Sequence, residues 1–202
     1  MVATKHFVGF LSVLVLGAAA MLIAVFLFVP GPNFDYGVVF DAGSTGTRVH
    51  IYIWPHPDNS SLPPDVVEGP FYSQGGDAKW SMNINPGISA FGTNPQGAAD
   101  SLQPLIQYAL SVVPFSKVAT TPVFLFATAG MRLLNEANAT ASDQVLEAVR
   151  NAFSQTGFLF THPQDQVRII TGQEEGLFGY VPPFASAAIC SVPNYIIHYS
   201  SL

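Results

Sequence analysis

The chain has one cysteine, Cys190, in 202 residues, so an intrachain disulfide is impossible and a zinc cluster built from cysteines is excluded with it. Charge is scarce as well: 10% of residues are Asp, Glu, Lys or Arg, with 7 basic against 13 acidic. A formal net charge of −6, a pI near 5.1 and no basic cluster exclude the electrostatic footprint of a nucleic-acid binder. No G-x-x-x-x-G-K-[ST] occurs, which removes lysine-bearing P-loop chemistry. No internal repeat is visible.

Apolar residues, by contrast, make up 49% of the chain, and part of that excess is not core. Residues 7–29, "FVGFLSVLVLGAAAMLIAVFLFV", carry no charge. About 23 residues at roughly 1.5 Å each span a ~30 Å hydrocarbon slab. The run is too long for the apolar part of a cleaved signal peptide and ends in bulky side chains, so it is expected to be a retained anchor. Lys5 precedes it and no basic residue follows before Arg48, which places residues 1–6 in the cytoplasm and the remainder on the luminal or extracellular side. The sequons at Asn59 and Asn138 agree with that side as glycosylation sites. The composition does not choose between a Golgi or other endomembrane and the plasma membrane.

After a Pro/Gly linker at 30–36, the chain reads as an α/β layer. Val38–Asp41 and the alternating residues 48–54 form two strands around the loop Gly43-Ser44-Thr45-Gly46-Thr47, a hairpin. Residues 66–73 suggest a third strand, followed by an irregular passage to Asn94. Asn94-Pro95 is an N-cap with proline at the first helical position, and Ala98, Leu102, Leu105, Ala109 and Val113 then share one face, with a kink expected at Pro104. "PVFLFA", 122–127, reads as a buried parallel strand. A helix over 142–155 turns Val145, Leu146, Val149 and Phe153 inward, "VRIIT" at 167–171 is a further strand, and a helix begins near Glu175. The sheet is expected to be mixed, with flanking helices.

Three strands end in small or polar loops: Asp41 with "GSTGT", Thr128-Ala129-Gly130, and Gly172-Gln173-Glu174-Glu175-Gly176. In open α/β sheets ligands bind outside the carboxyl ends of strands, so the three are expected to converge. Glycine lets backbone N–H groups approach an anion, and serine and threonine hydroxyls add donors suited to phosphate. Asp41 then either holds a divalent cation beside the phosphate, directly or through water, or bonds the loop's own N–H groups. One of Glu174 and Glu175 can polarise a water for attack on phosphorus, or the pair is a solvated turn; adjacent side chains diverge, and the pattern does not choose between them. Thr128 can bond the same water or a phosphate, or simply close its strand. Arg132 can neutralise a phosphate or pair with Glu136 four residues on.

Together the segments "DAGSTGTR" (41–48), "ATAGMRLL" (127–134) and "GQEEGLFGY" (172–180) resemble, in order, the first three apyrase conserved regions of the nucleoside triphosphate diphosphohydrolase (apyrase) family, as do "NPGISAF" and "NPQGAADSLQPLI" between them. The resemblance covers about residues 37–181. It implies the N-terminal lobe of a two-lobed, actin-like (RNase H-like) fold, preceded by one transmembrane helix. It also implies hydrolysis of terminal phosphates of nucleoside tri- and diphosphates with Ca²⁺ or Mg²⁺. Carried over by position, Asp41 organises the metal's water shell. Gly43, Ser44, Thr45, Gly46 and Thr47, with Ala129 and Gly130, hold phosphate. Thr128 positions the water, Glu175 is the general base, and Glu174 and Arg132 are secondary. Water attacks in line, with no phosphoenzyme.

The family's fourth region, D-[LF]-G-G-A-S, its fifth region and its second lobe have no counterpart in this sequence, and "PPFASAAICSV" departs from the family's continuation. Residues 182–202 are therefore expected to be a divergent tail, disordered or non-native, arising by read-through or splicing, and the chain to release little or no phosphate from ATP, ADP or UDP. Two other readings stand beside this one. A membrane-tethered, non-catalytic nucleotide- or partner-binding module is the first. The second is a kinase or chaperone-type ATPase, against which the second and third loops and the extracytoplasmic side argue.

Overall fold

The computed structural model describes residues 33–56, 66–69 and 80–180, and the expected anchor at 7–29, the sequon at Asn59 and the tail at 182–202 lie outside them. Strands β1 (Phe34–Ala42) and β2 (Thr47–Pro55) form the antiparallel hairpin, in register from Phe34 opposite Pro55 to Ala42 opposite Thr47. β1 starts inside the stretch expected to be a linker, because β2 runs on to Pro55 and supplies Phe34, Asp35 and Tyr36 with partners. β3 (Val67–Glu68) and β4 (Ser81–Ile84) extend the outer edge of β2, while β5 (Val123–Ala127) and β6 (Val167–Ile169) lie parallel on the other side of β1. The order is β3-β2-β1-β5-β6, with β4 also on β2, the mixed sheet that the sequence implies.

One face of this sheet is packed by helices. Asn94 caps α1 (Pro95–Ser101) by accepting from the Gly97 N–H at 3.3 Å. The helical path breaks at Leu102 before α2 (Gln103–Val112), as Pro104 requires, since it has no N–H to donate and its ring crowds the preceding turn. Ala98, Leu102, Leu105, Ala109 and Val113 are all buried against Val38, Phe40, Val49 and Ile51 of the hairpin and Leu125 of β5. After a short turn α3 (Phe115–Val118) and strand β5, two helices follow where one is expected: α4 (Ala129–Ala137) and α5 (Ala139–Phe153). Asn138 separates them, ending α4 and capping α5 through a 3.0 Å bond from the Ala141 N–H. Val145, Leu146, Val149 and Phe153 face inward as the period demands, with Phe153 4.9 Å from Phe40, ring centre to ring centre. The second face carries a smaller cluster of Val39, Tyr52, Trp54, Phe124, Phe126 and Ile170. α6 (Pro163–Gln166) and α7 (Gly172–Tyr180) complete the described elements. None of the described helices is long and apolar enough to cross a membrane.

The passage expected to be irregular, up to Asn94, holds β4 and a 3₁₀ turn, Ile88–Phe91. Both are too short for a periodic pattern to show. β4 forms because Arg48 and Val49 on β2 offer Asn83 and Met82 a ladder.

Ser142 on α5 is fully buried, and its hydroxyl finds no hydrogen-bond partner. An unsatisfied buried hydroxyl costs about 1–3 kcal/mol. Ser142→Ala is therefore expected to raise the urea midpoint, by about 1 kcal/mol in stability; a lower midpoint would show that the hydroxyl has a partner in solution.

Candidate active site

The parallel register places Ala42, Ala127 and Ile169 side by side at the carboxyl edge of the sheet. The chain segments that follow them are tied across that edge. Thr128 N–H donates to the Ala42 carbonyl at 3.1 Å, and Ile170 N–H to that of Ala127 at 2.9 Å. The three predicted segments do converge, but two of them are helix starts and not loops. Ala129 and Gly130 are the first turn of α4, and Gly172–Gly176 opens α7. Helix α4 thus starts against the hairpin, and the unpaired N–H groups of its first turn favour anions. Gly130 lies so close to the hairpin that a Cβ there would fall 2.8 Å from Ser44 Cα and 2.6 Å from Ser89 Oγ.

Within the hairpin loop, Ser44 and Thr45 are exposed and Gly43 and Gly46 half-buried. Thr47 corrects the sequence reading. It pairs with Ala42 and shares that residue's face, toward the helices, so its hydroxyl is buried and cannot reach a phosphate in the cleft. What remains available there is the backbone. Asn85, not singled out from the sequence, braces the loop from below. With its amide nitrogen turned toward the loop, it donates to the Thr45 carbonyl at 3.0 Å and to that of Ile84 at 3.1 Å. Any side chain at Gly46 would collide with it. The "NPG" turn preceding the 3₁₀ residues was the available signal.

The two glutamates separate cleanly. Thr171 and Glu174 form a capping box. Glu174 Oε2 accepts from Thr171 N–H at 2.8 Å and from its hydroxyl at 3.0 Å, and Thr171 Oγ1 accepts from Glu174 N–H at 3.1 Å. Glu174 also pairs with Arg168 at 2.9 Å, and Arg168 in turn lies over the Phe126 ring at 5.3 Å. The Thr171 N–H, with help from Arg168, holds the Glu174 carboxyl below the ordinary glutamate range. The sequence T-x-x-E at 171–174 carried this signal. Glu175 is held differently. Its Oε2 accepts from Arg132 Nη2 at 2.9 Å, while Arg132 Nη1 donates to the Ile170 carbonyl at 2.8 Å. Arg132 therefore pairs with Glu175, where Glu136 or a phosphate was expected, and fixes that carboxylate against the end of β6.

Asp41 is half-buried on the sheet face opposite the helices. Burial pushes its carboxyl above the ordinary aspartate range; His50 and Arg48 pull it back, and the Glu175 charge pushes it up again. Asp41 and Glu175 thus lie within electrostatic reach of each other. Thr128, nearly buried at the cap position of α4, directs its hydroxyl to the Ala42 carbonyl at 3.4 Å. No group of three or more His, Cys, Asp or Glu side chains able to hold a metal occurs among the described residues. The donor set nevertheless fits a divalent cation that takes most of its ligands from phosphate and water: Asp41 is a desolvated carboxylate beside a second negative charge. Asn138 is exposed, so its amide nitrogen is accessible while its oxygen caps α5.

Residues 31–182 match the GDA1/CD39 (nucleoside phosphatase) family. The chain is 39% identical over 174 residues to ectonucleoside triphosphate diphosphohydrolase 2 of Homo sapiens, which covers 83% of this chain and 32% of that relative. It is 39% identical over 157 residues to ectonucleoside triphosphate diphosphohydrolase 8 of Gallus gallus, covering 77% and 28%. The chain thus spans about a third or less of the length of the curated relatives it matches. A solved structure of the Ppx/GppA family member of Aquifex aeolicus covers 73% of this chain and 39% of that one, at 16% identity and a TM-score of 0.42.

Two stability measurements test these assignments. Glu174→Ala should cost about 1 kcal/mol at pH 7, as loss of a cap does, and Glu175→Ala less, because an exposed ion pair contributes little. Glu174 titrates below its ordinary value of 4.5 in the fold, so its contribution is complete above that value and fades as pH falls through the folded value. Equal losses for both variants in urea titrations at neutral pH would contradict the division of roles. Asp41 titrates above its ordinary value of 3.8, so ionising it costs the folded state stability as pH rises through that range. Metal-free Asp41→Asn should accordingly melt above the wild type at pH 7, with the difference vanishing in acid; a lower melting temperature at pH 7 would refute the desolvation argument.

Proposed function

The chain belongs to the GDA1/CD39 (nucleoside phosphatase) family, and on that premise we propose that its sheet edge is one wall of a site that hydrolyses terminal phosphates of nucleoside tri- and diphosphates. The observation that carries the reading is the first turn of α4 seated against the hairpin loop, with Gly130 beside Ser44, next to a desolvated Asp41 that feels the charge of Glu175.

In this reading the backbone N–H groups of Gly43–Thr47, with the Ser44 and Thr45 hydroxyls and the first turn of α4 at Ala129-Gly130, cradle the terminal phosphate. Asp41 holds Mg²⁺ or Ca²⁺, through the ion's water, where that ion would neutralise phosphate charge. Glu175 takes the proton of the attacking water, and its fork with Arg132 aims the carboxylate. Thr128 orders the same water from the cap of α4. The products are orthophosphate and the shortened nucleotide, formed by in-line attack and without a covalent enzyme intermediate. The lobe would be one half of an actin-like pair, tethered through residues 7–29 with its site on the luminal or extracellular side, and glycosylated at Asn59 and Asn138. These elements rest on the sequence reading and on the site's chemistry.

The test is phosphate release from ATP, ADP and UDP by the full chain, with Ca²⁺, with Mg²⁺ and with chelator. Turnover that needs the cation and falls at least about a hundredfold in Glu175→Gln supports the hydrolase. Cation-dependent nucleotide binding without release would make the chain a binding fragment, and neither binding nor release would refute both.

A further inference from the structure

The first face of the sheet has its cover, since α1, α2, α4 and α5 all contribute to the larger cluster. No described helix packs along the second face, yet that face is closed. Val39, Tyr52, Trp54, Phe124, Phe126 and Ile170 are between 0% and 6% exposed. Among the described residues, only the half-buried Val66 and Leu159 pack against them as further apolar groups. Phe124 and Phe126 stack at 5.8 Å, and aromatic side chains bury about 150–250 Å² each. An apolar patch built from four of them is larger than a monomer ordinarily leaves open. Whatever lies over it must be apolar and free of charge at the contact, because a charge there would lose its water without gaining a partner.

Beyond residue 33, three stretches lie outside the described residues, and their sequences offer different things. Residues 57–65, "PDNSSLPPD", have one large apolar side chain, Leu62, beside Asp58 and Asp65. Residues 70–79, "PFYSQGGDAK", set Phe71 and Tyr72 beside Asp77 and Lys79. Both stretches connect strands at the β2 edge, whereas the cluster extends across β1 to Phe124 and Phe126 of β5 and on to Ile170. Residues 181–202 contain no Asp, Glu, Lys or Arg, and they carry Phe184, Ile189, Val192, Ile196 and Ile197. Segments that stay disordered have the reverse composition, with low hydrophobicity and high charge.

The last stretch also starts in reach. Ile170 belongs to the cluster and leads directly into α7. In the first turn of that helix, Glu174 is tied to Arg168, whose guanidinium lies over the Phe126 ring on the same face. The nine residues of α7 carry the chain about 14 Å at most. From β2 to β6 the sheet is about 15 Å wide, which roughly five extended residues cross.

We propose that residues 181–202 fold back over the second face of the sheet and supply its cover, in place of the loose tail that the sequence by itself suggests. This docking is independent of what the sheet edge binds or hydrolyses.

The experiment uses two reporters already in the chain. Cys190 is the one cysteine, and Trp54 becomes the one tryptophan in Trp80→Phe, a change on the first face. With a nitroxide on Cys190, the full chain in detergent micelles should show Trp54 emission that is blue and quenched, with the quenching lost in urea. Mixing with excess unlabelled chain should leave the quenching unchanged, because the contact lies within one molecule. Ile189→Asp and Ile196→Asp should each redden Trp54 emission and lower the urea midpoint by about 1 M, the size for one buried aliphatic side chain at an ordinary slope. Unquenched Trp54 emission from the folded, labelled chain would overturn the docking whatever the two variants do. Loss of quenching on mixing would assign the face to a second copy and overturn it as well.

Discussion

The bond from the Thr128 N–H to the Ala42 carbonyl holds the site together. It continues the parallel ladder one residue past the end of β5, so α4 starts level with the hairpin loop. The Ile170 N–H does the same for the next strand by reaching the Ala127 carbonyl. Parallel neighbours must have their carboxyl ends on one edge, and here that edge is almost flush. A slip of one residue in either pair would turn Asp41 or Arg168 to the helical face and separate the three segments.

On this frame the charges are arranged economically. The four described arginines divide into structural and available sets: Arg168 with Glu174 fixes the start of α7, Arg150 ties α5 to the segment before β6, and Arg132 orients Glu175. Asp41 and Arg48 face one another across the ladder without closing a salt bridge, and the arginine still eases the ionisation of the half-buried carboxyl. Had they closed on each other, the edge would have been more stable and less able to bind a metal-bearing anion.

Much of this was legible because it depended on strong local patterns. The alternation of Val49, Ile51 and Ile53, the Asn94-Pro95 start, the Pro104 break and the inward stripe of α5 all follow from period and capping chemistry, and the structure has them where those rules put them. The glycines misled. Gly130 and Gly172 suggested loops, yet each sits in the first helical turn, where the absence of a side chain serves close approach or costs little. The capping box at Thr171 and Glu174 was present in the sequence and would have put the helix start in its place. Which acid Arg132 meets depends on a contact 43 residues away that no local pattern encodes, whereas Thr47 shares its face with Val49, Ile51 and Ile53, and their alternation would have turned it inward.

Gly130 sits against Ser44 and Ser89 with no room for a methyl group. On the hairpin side the gap to α4 is consequently set by the Ser44 main chain, like a gauge block. Drift in sequence cannot widen or narrow such a gap by small steps, because the smallest step available is already a collision. On the proposed reading, a ligand group seated there would meet the same width whatever the surrounding surface becomes, and variation in what is accepted would come from the rim: the exposed side chains at 44, 45 and 48.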